Sequence, residues 1–208
     1  MPIFTHDVAE AAAALRGGSI VVYPTETFYG LGALATLPAA LARLGDAKLR
    51  PAGKPLPLVA ADASSAFALW AEVPEEARRL AGRFWPGPLT LVAAAAAGLP
   101  GAVTLGGDVG VRVPGSEVAR SLARSAGGPL VSTSANPSGG PAPDSVQALD
   151  PDLLARVDLV LDGGRAPGGL PSTVVRVGAG GLRLLRTGAV PWEAVEAALR
   201  SPLPSRGG

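Results

Sequence analysis

Short apolar runs of strand length alternate with helix-patterned stretches along the whole chain, and that alternation is what most restricts its fold. SIVVY (19–23), PLVA (57–60), LTLVAA (89–94), VGVRV (109–113), PLVST (129–133), DLVLD (158–162), STVVRV (172–177) and LRLLR (182–186) each read as a strand. Between them, helices are expected over 7–16, over 38–45, after Asp62, after Pro74, over 116–126, over 144–156 and over 191–200. Gly17-Gly18 and Gly127-Gly128 supply stop signals. PTETFYGLG (24–32) reads as the loop leaving the first strand. Several joins are too short for a crossover helix, so the class is α/β with a twisted mixed sheet and surrounding helices. No repeat or linker divides the chain. The expectation is one domain over 1–208, with its core over about 5–200 and a frayed tail at 201–208.

Composition excludes more than it proposes. The chain has no cysteine and one histidine, His6, placed ahead of the first helix. The lack of cysteine removes disulfides, Cys-ligated zinc and thiol nucleophiles, and His6 reads as a solvated N-terminal side chain and not as the base of a Ser-His-Asp triad. Neither a GxxxxGK[ST] loop nor a strand-linked GxGxxG is present. A net charge of +1 announces no general nucleic-acid field. No apolar run has the length of a membrane span and no leader pattern is visible, so a cytoplasmic location is expected. An enzyme with this inventory must work by positioning and electrostatic stabilisation, and phosphoryl chemistry is the natural class.

Residue scarcity marks where such a site sits. Sixteen of the eighteen basic residues are arginine, and both lysines, Lys48 and Lys54, fall in KLRPAGK. Lysine is a compact charge and arginine a planar fork, so retaining lysine only here suggests a specific use for it. Lys48, Arg50 and Lys54 surround a Pro-Ala-Gly turn and form a candidate anion clamp; a solvated basic loop is the plain alternative. The single asparagine, Asn136, lies in STSANPSGG, a polar loop at a strand's end, which is either an ordinary turn or a ligand crevice. YPTETFYG holds both tyrosines, with Thr27 offering a hydroxyl and Glu26 a carboxylate for an amine or a metal-bound water. Phe28 reads as core packing. Arg112, flanked by valines, must either snorkel or meet a buried anion. Ser172, Thr173 and Arg186 repeat the pattern of a polar group at a strand's end.

These segments together resemble the YrdC-like family, whose members make threonylcarbamoyl-AMP for tRNA modification. The matching stretches are GGSIVVYPTETFYGLG, KLRPAGKPLPL, FWPGPLTLV, VGVRVP, PLVSTSANPSG, STVV and LLRTG, in the family's order across roughly 17–188. Lys-x-Arg appears at 48–50 and Ser-x-Asn at 134–136. The resemblance implies a mixed sheet around a concave, positively charged cavity. It implies nucleotidyl transfer, in which L-threonine, bicarbonate and ATP give threonylcarbamoyl adenylate and pyrophosphate. The threonine amine captures CO₂ as a carbamate, whose oxygen displaces pyrophosphate from the α-phosphate. Carried over, Lys48, Arg50, Lys54, Ser134, Asn136 and Arg186 take the ATP, with Lys48 and Arg50 catalytic, and Thr27, Arg112, Ser132 and Ser172 take threonine and its carbamate. Mg²⁺ is expected to accompany the triphosphate, with no protein metal site.

The chain departs from longer relatives, which carry a histidine where Val59 stands, a serine where Ala142 stands, and a further C-terminal domain. Two other functions fit the same surface: a non-catalytic RNA-binding module, or a carbamoyltransferase-type domain. Contact with tRNA or with a threonylcarbamoyl-transferase complex is the expected macromolecular partnership, and no membrane is.

Overall fold

A computed structural model describes residues 1–48, 56–137 and 139–200. Twelve strands and seven α-helices occur among the described residues, interleaved along the chain. The strands fall into two sheets rather than one. β1 (Ile3–Thr5), β10 (Leu159–Leu161), β2 (Val21–Pro24), β3 (Tyr29–Gly32) and β9 (Thr133–Ser134) make the first, in that order. The second runs β12 (Arg183–Arg186), β11 (Thr173–Arg176), β5 (Leu89–Ala94), β7 (Asp108–Arg112), β4 (Leu58–Val59), β8 (Leu130–Val131), with β6 (Thr104–Leu105) beside β7. Both sheets are mixed. β10 pairs parallel to β1 and β2 while β2 and β3 are antiparallel, and β5 is parallel to β11 but antiparallel to β7.

The period of two in a strand decides which core each side chain enters. Val21 and Tyr23 join Leu159 and Leu161 in a layer beneath α1 (Val8–Arg16) and α5 (Glu117–Ala126), together with Ala11, Leu15, Leu122 and Ala123. Their neighbours Ile20, Val22 and Val160 point the other way, into the main core shared with Leu58, Leu89, Leu91 and Val111 of the second sheet. The first sheet is therefore covered on both faces, which is why its strands read as unbroken apolar runs. Each fully buried leucine there contributes about 2 kcal/mol of apolar burial.

Helix ends follow their local sequence. Asp7 caps α1 by accepting from Ala9 N at 2.7 Å, and Ser116 caps α5 by accepting from Ala119 N at 3.3 Å. Gly127 closes α5 at φ 79°, a left-handed position where a Cβ would be strained. Asp62 and Ser65 form a reciprocal capping box on α3 (Ala63–Phe67).

Three expectations are corrected, and one strand is added to them. Residues 29–32 of the expected loop form β3, antiparallel to β2. PLVST is not one strand: β8 belongs to the second sheet and β9 to the first, with Ser132 between them. The helix expected over 144–156 is a 3-10 turn (Val146–Ala148) followed by α6 (Pro151–Leu154). Leu149 is extended at ψ 136° and Asp150 caps a fresh start at Leu153 N, so a continuous helix is interrupted. Finally, β1 was not anticipated. The expected tail at 201–208 lies outside the described residues.

Candidate functional site

The chain's change of sheet at Ser132 opens a cavity of about 510 Å³ where the two sheets meet. Its walls come from alternate positions of neighbouring strands: Thr90 and Val92, Gly110 and Arg112, Ser172 and Val174, Ser132 and Ser134. Positions two apart in a strand share a face, so each segment presents a pair. Thr25, Thr27, Phe28 and Gly30 supply the side facing the first sheet, and Arg186 at the end of β12 closes the opposite side. A Cβ on Gly110 would lie 3.3 Å from the Val92 side chain, and one on Gly30 would lie 3.3 Å from Ser132 Oγ. The two glycines keep the floor low.

Each cation at the cavity is held differently. Arg186 donates through Nε and Nη2 to the Ser172 carbonyl at 3.1 and 2.8 Å, and through Nη2 to Ser172 Oγ at 2.9 Å. Ser172 Oγ in turn meets Thr90 Oγ1 at 2.9 Å, so a chain of hydroxyls fixes the guanidinium. Burial, and then the charge of Arg112, hold the Arg186 pKa below the usual arginine value. Arg112 is nearly buried and donates Nη1 to Glu26 Oε1 in an ion pair. That pair answers the expectation that a valine-flanked strand arginine would snorkel or meet a buried anion. Lys48, just past the end of α2 (Pro38–Ala47), reaches across to the Ser134 carbonyl, to Ser134 Oγ at 3.1 Å and to Asn136 Oδ1 at 3.3 Å. Ser134 Oγ and Asn136 Oδ1 are 2.5 Å apart, so Lys48, Ser134 and Asn136 share one polar cluster.

The loop carrying Thr27 is rigid by its own hydrogen bonds. Thr25 Oγ1 donates to the Phe28 carbonyl at 2.7 Å, accepts from Thr27 N at 3.2 Å and lies 3.1 Å from Thr27 Oγ1. Beneath it Tyr23 is fully enclosed, and burial pushes its pKa up to about 12 against the weaker opposing effect of the Ser132 hydroxyl. No carboxylate lines the cavity among the described residues. Nor do any three His, Asp or Glu side chains gather to hold a metal ion there or elsewhere among them.

Of the residues singled out from sequence, Thr27, Arg112, Ser132, Ser134, Ser172 and Arg186 line this cavity together. Lys48 and Asn136 adjoin it through Ser134. Arg50 and Lys54 lie outside the described residues. Phe28, expected as core packing, is half-buried and lines the wall. Glu26, expected to meet an amine or a metal-bound water, pairs with Arg112 and does not line the cavity. Val59 points into the layer beneath α1 and α5, whereas Ala142 does line the cavity. Thr25, the other threonine hydroxyl of YPTETFYG, lines the cavity beside Thr27, and Thr90 lines it without having been singled out. Thr90 carried a usable signal, a hydroxyl inside the apolar run LTLVAA, of the same kind that marked Arg112.

The family model Sua5_yciO_yrdC, described as telomere recombination, matches residues 13–188. The chain is 42% identical over 187 residues to the threonylcarbamoyl-AMP synthase of Pyrococcus abyssi, covering 89% of this chain and 55% of that protein. It is 39% identical to the threonylcarbamoyl-AMP synthase of Bacillus subtilis, covering 92% and 56%. The chain thus spans about half the length of these two relatives. The crystal structure of P. abyssi Sua5 complexed with L-threonine superposes with a TM-score of 0.89 at 38% identity, over 96% of this chain and 61% of that one.

Proposed function

This chain belongs to the Sua5/YciO/YrdC family, and on that premise we propose that it joins L-threonine, bicarbonate and ATP into L-threonylcarbamoyl-AMP, releasing pyrophosphate, in support of threonylcarbamoyladenosine formation in tRNA. The observation that carries this reading is the convergence of Thr27, Arg112, Ser132, Ser134, Ser172 and Arg186 on one cavity without a carboxylate among its described lining residues. Such a lining favours anions. A zwitterionic amino acid would find hydroxyls and guanidinium groups but no acid for its ammonium, whereas an N-carboxylated amino acid is a dianion.

The reaction needs no protein nucleophile. Bicarbonate supplies CO₂ with loss of hydroxide, the neutral threonine amine adds to its carbon and gives up a proton that converts the hydroxide to water, and the resulting carbamate oxygen attacks the α-phosphorus. The bond from that phosphorus to the bridging oxygen breaks, and pyrophosphate leaves with the electron pair. The carbamate and triphosphate repel each other, so the protein's work is to hold both anions in line. Arg186, Lys48, Ser134 and Asn136 would take the nucleotide, with Arg50 and Lys54 assigned beside them on sequence alone. Thr27, Arg112, Ser132 and Ser172 would take threonine and its carbamate. Mg²⁺ would arrive with the triphosphate and neutralise part of its charge. A cytoplasmic setting and contact with tRNA or a transferase complex belong to the same reading. No helix among the described residues is long and apolar enough to cross a membrane.

Pyrophosphate release measured with each substrate omitted in turn tests it. Release is expected only when ATP, L-threonine and bicarbonate are all present, and release that continues without threonine would overturn the substrate assignment.

A further inference from the structure

Among the described residues, Glu26 is the one acid that forms an ion pair with a cationic side chain of the cavity wall while standing outside the wall itself. We infer that it is the positioning residue for Arg112, fixing one edge of the guanidinium so that the other edge is presented to the substrate; the inference rests on the threonine-site reading above.

Four observations converge on this role. Arg112 lines the cavity, Glu26 does not, and the only hydrogen bond of the guanidinium among the described residues runs from Nη1 to Glu26 Oε1. The side chains are 9% and 15% exposed, so the contact is not a surface pairing diluted by solvent. Glu26 sits between Thr25 and Thr27 in the loop that their hydroxyls brace, which fixes the backbone from which its side chain extends. Gly115 makes room for it: a Cβ there would lie 3.2 Å from both Glu26 Cβ and Cγ. The φ of Gly115 is not left-handed, so space rather than backbone conformation explains the glycine.

The second carboxylate oxygen, Oε2, is buried without a hydrogen-bond partner. A buried pair with an unsatisfied oxygen is a poor device for stability alone. It makes sense as a means of orienting a planar five-donor fork, whose remaining N–H groups then project in one plane. It also divides the labour between the cavity's two arginines. Arg112 is charge-compensated by Glu26 and acts as a directed pair of donors. Arg186 forms no ion pair among the described residues, its partners being the Ser172 carbonyl and hydroxyl, and it supplies uncompensated charge.

Steady-state pyrophosphate release by Glu26→Ala, Glu26→Gln and Gly115→Ala, with melting temperatures recorded, tests the inference. Losing the partner should raise the threonine KM of Glu26→Ala about tenfold, the effect of one oriented charged hydrogen bond, and leave the ATP KM within about twofold. Glu26→Gln, which keeps an acceptor oxygen, should recover part of the loss, and Gly115→Ala should reproduce a fraction of it without removing any cavity group. In an Arg112→Gln background, Glu26→Gln should add nothing further to the threonine KM. An unchanged threonine KM in a folded Glu26→Ala protein, or equal rises in both KM values, overturns the positioning role. Wild-type protein that shows no threonine-dependent release overturns the reading beneath it, and this inference with it.

Discussion

Tyr23 shows how tightly the layer behind the cavity is built. Its ring lies against Gly32, where a Cβ would come within 2.5 Å of Tyr23 Cε1, and its hydroxyl donates to the Val131 carbonyl at 3.2 Å. The phenol is fully buried, so ionising it would place a charge in apolar surroundings, which is why its pKa is pushed from 10.0 to about 12. The sign follows directly. Between those two values the folded protein keeps a proton that the unfolded chain has lost, so the stability is present below pH 10 and disappears as pH rises through 12. The effect is of order 2 kcal/mol. Urea midpoints measured from pH 9 to pH 12 should therefore fall with pH in the wild type, and the fall should be shallower in Tyr23→Phe. Parallel curves for the two proteins would show that Tyr23 is not the titrating group.

At the scale of elements, α5 does two tasks whose residues are separable. Ala119, Leu122 and Ala123 pack it against α1 and the first sheet, and Ser116 at its start satisfies Ala119 N. Glu117 in the first turn and Arg124 in the last complement the helix dipole. Ser116 is near the site in sequence, four residues after Arg112, yet it lines none of the cavity. Ser116→Ala should cost about 1 kcal/mol in chemical denaturation through the lost cap, with threonine and ATP KM values unchanged. A loss of activity at full stability would mean that α5 orients Arg112, and the separation drawn here would fail. The same reasoning explains which elements the sequence revealed. LTLVAA became β5 residue for residue, because Leu89, Leu91 and Ala93 enter the core while Thr90 and Val92 face the cavity, leaving Thr90 as the one polar side chain in the run. PLVST misled because Leu130, Val131 and Thr133 are all buried, and burial does not reveal that the backbone leaves one sheet and enters another at Ser132.

At the scale of the molecule, the cavity exists only because both sheets contribute to it, and this sets what sequence can tell. Scarcity of lysine and asparagine points to Lys48 and Asn136, which hydrogen-bond Ser134 across 86 and 2 residues of sequence. The partnership of Glu26 with Arg112, also 86 residues apart, had no local trace, because it depends on which strand follows which in space. Ligands that bridge the two sheets should therefore stabilise the whole fold. At a concentration about a hundredfold above its Kd, a ligand binding only the folded state contributes about 2.7 kcal/mol. For a chain near this size that is a rise of roughly 5–10 °C in melting temperature. Arg186 is reached through Ser172 and Thr90 on the second sheet, whereas Lys48 is held by Ser134 and Asn136 on the side of the first. ATP is accordingly expected to raise the wild-type melting temperature, and to do so far less in Lys48→Ala and in Arg186→Ala. A shift that survives both substitutions undiminished would place the nucleotide elsewhere on the protein.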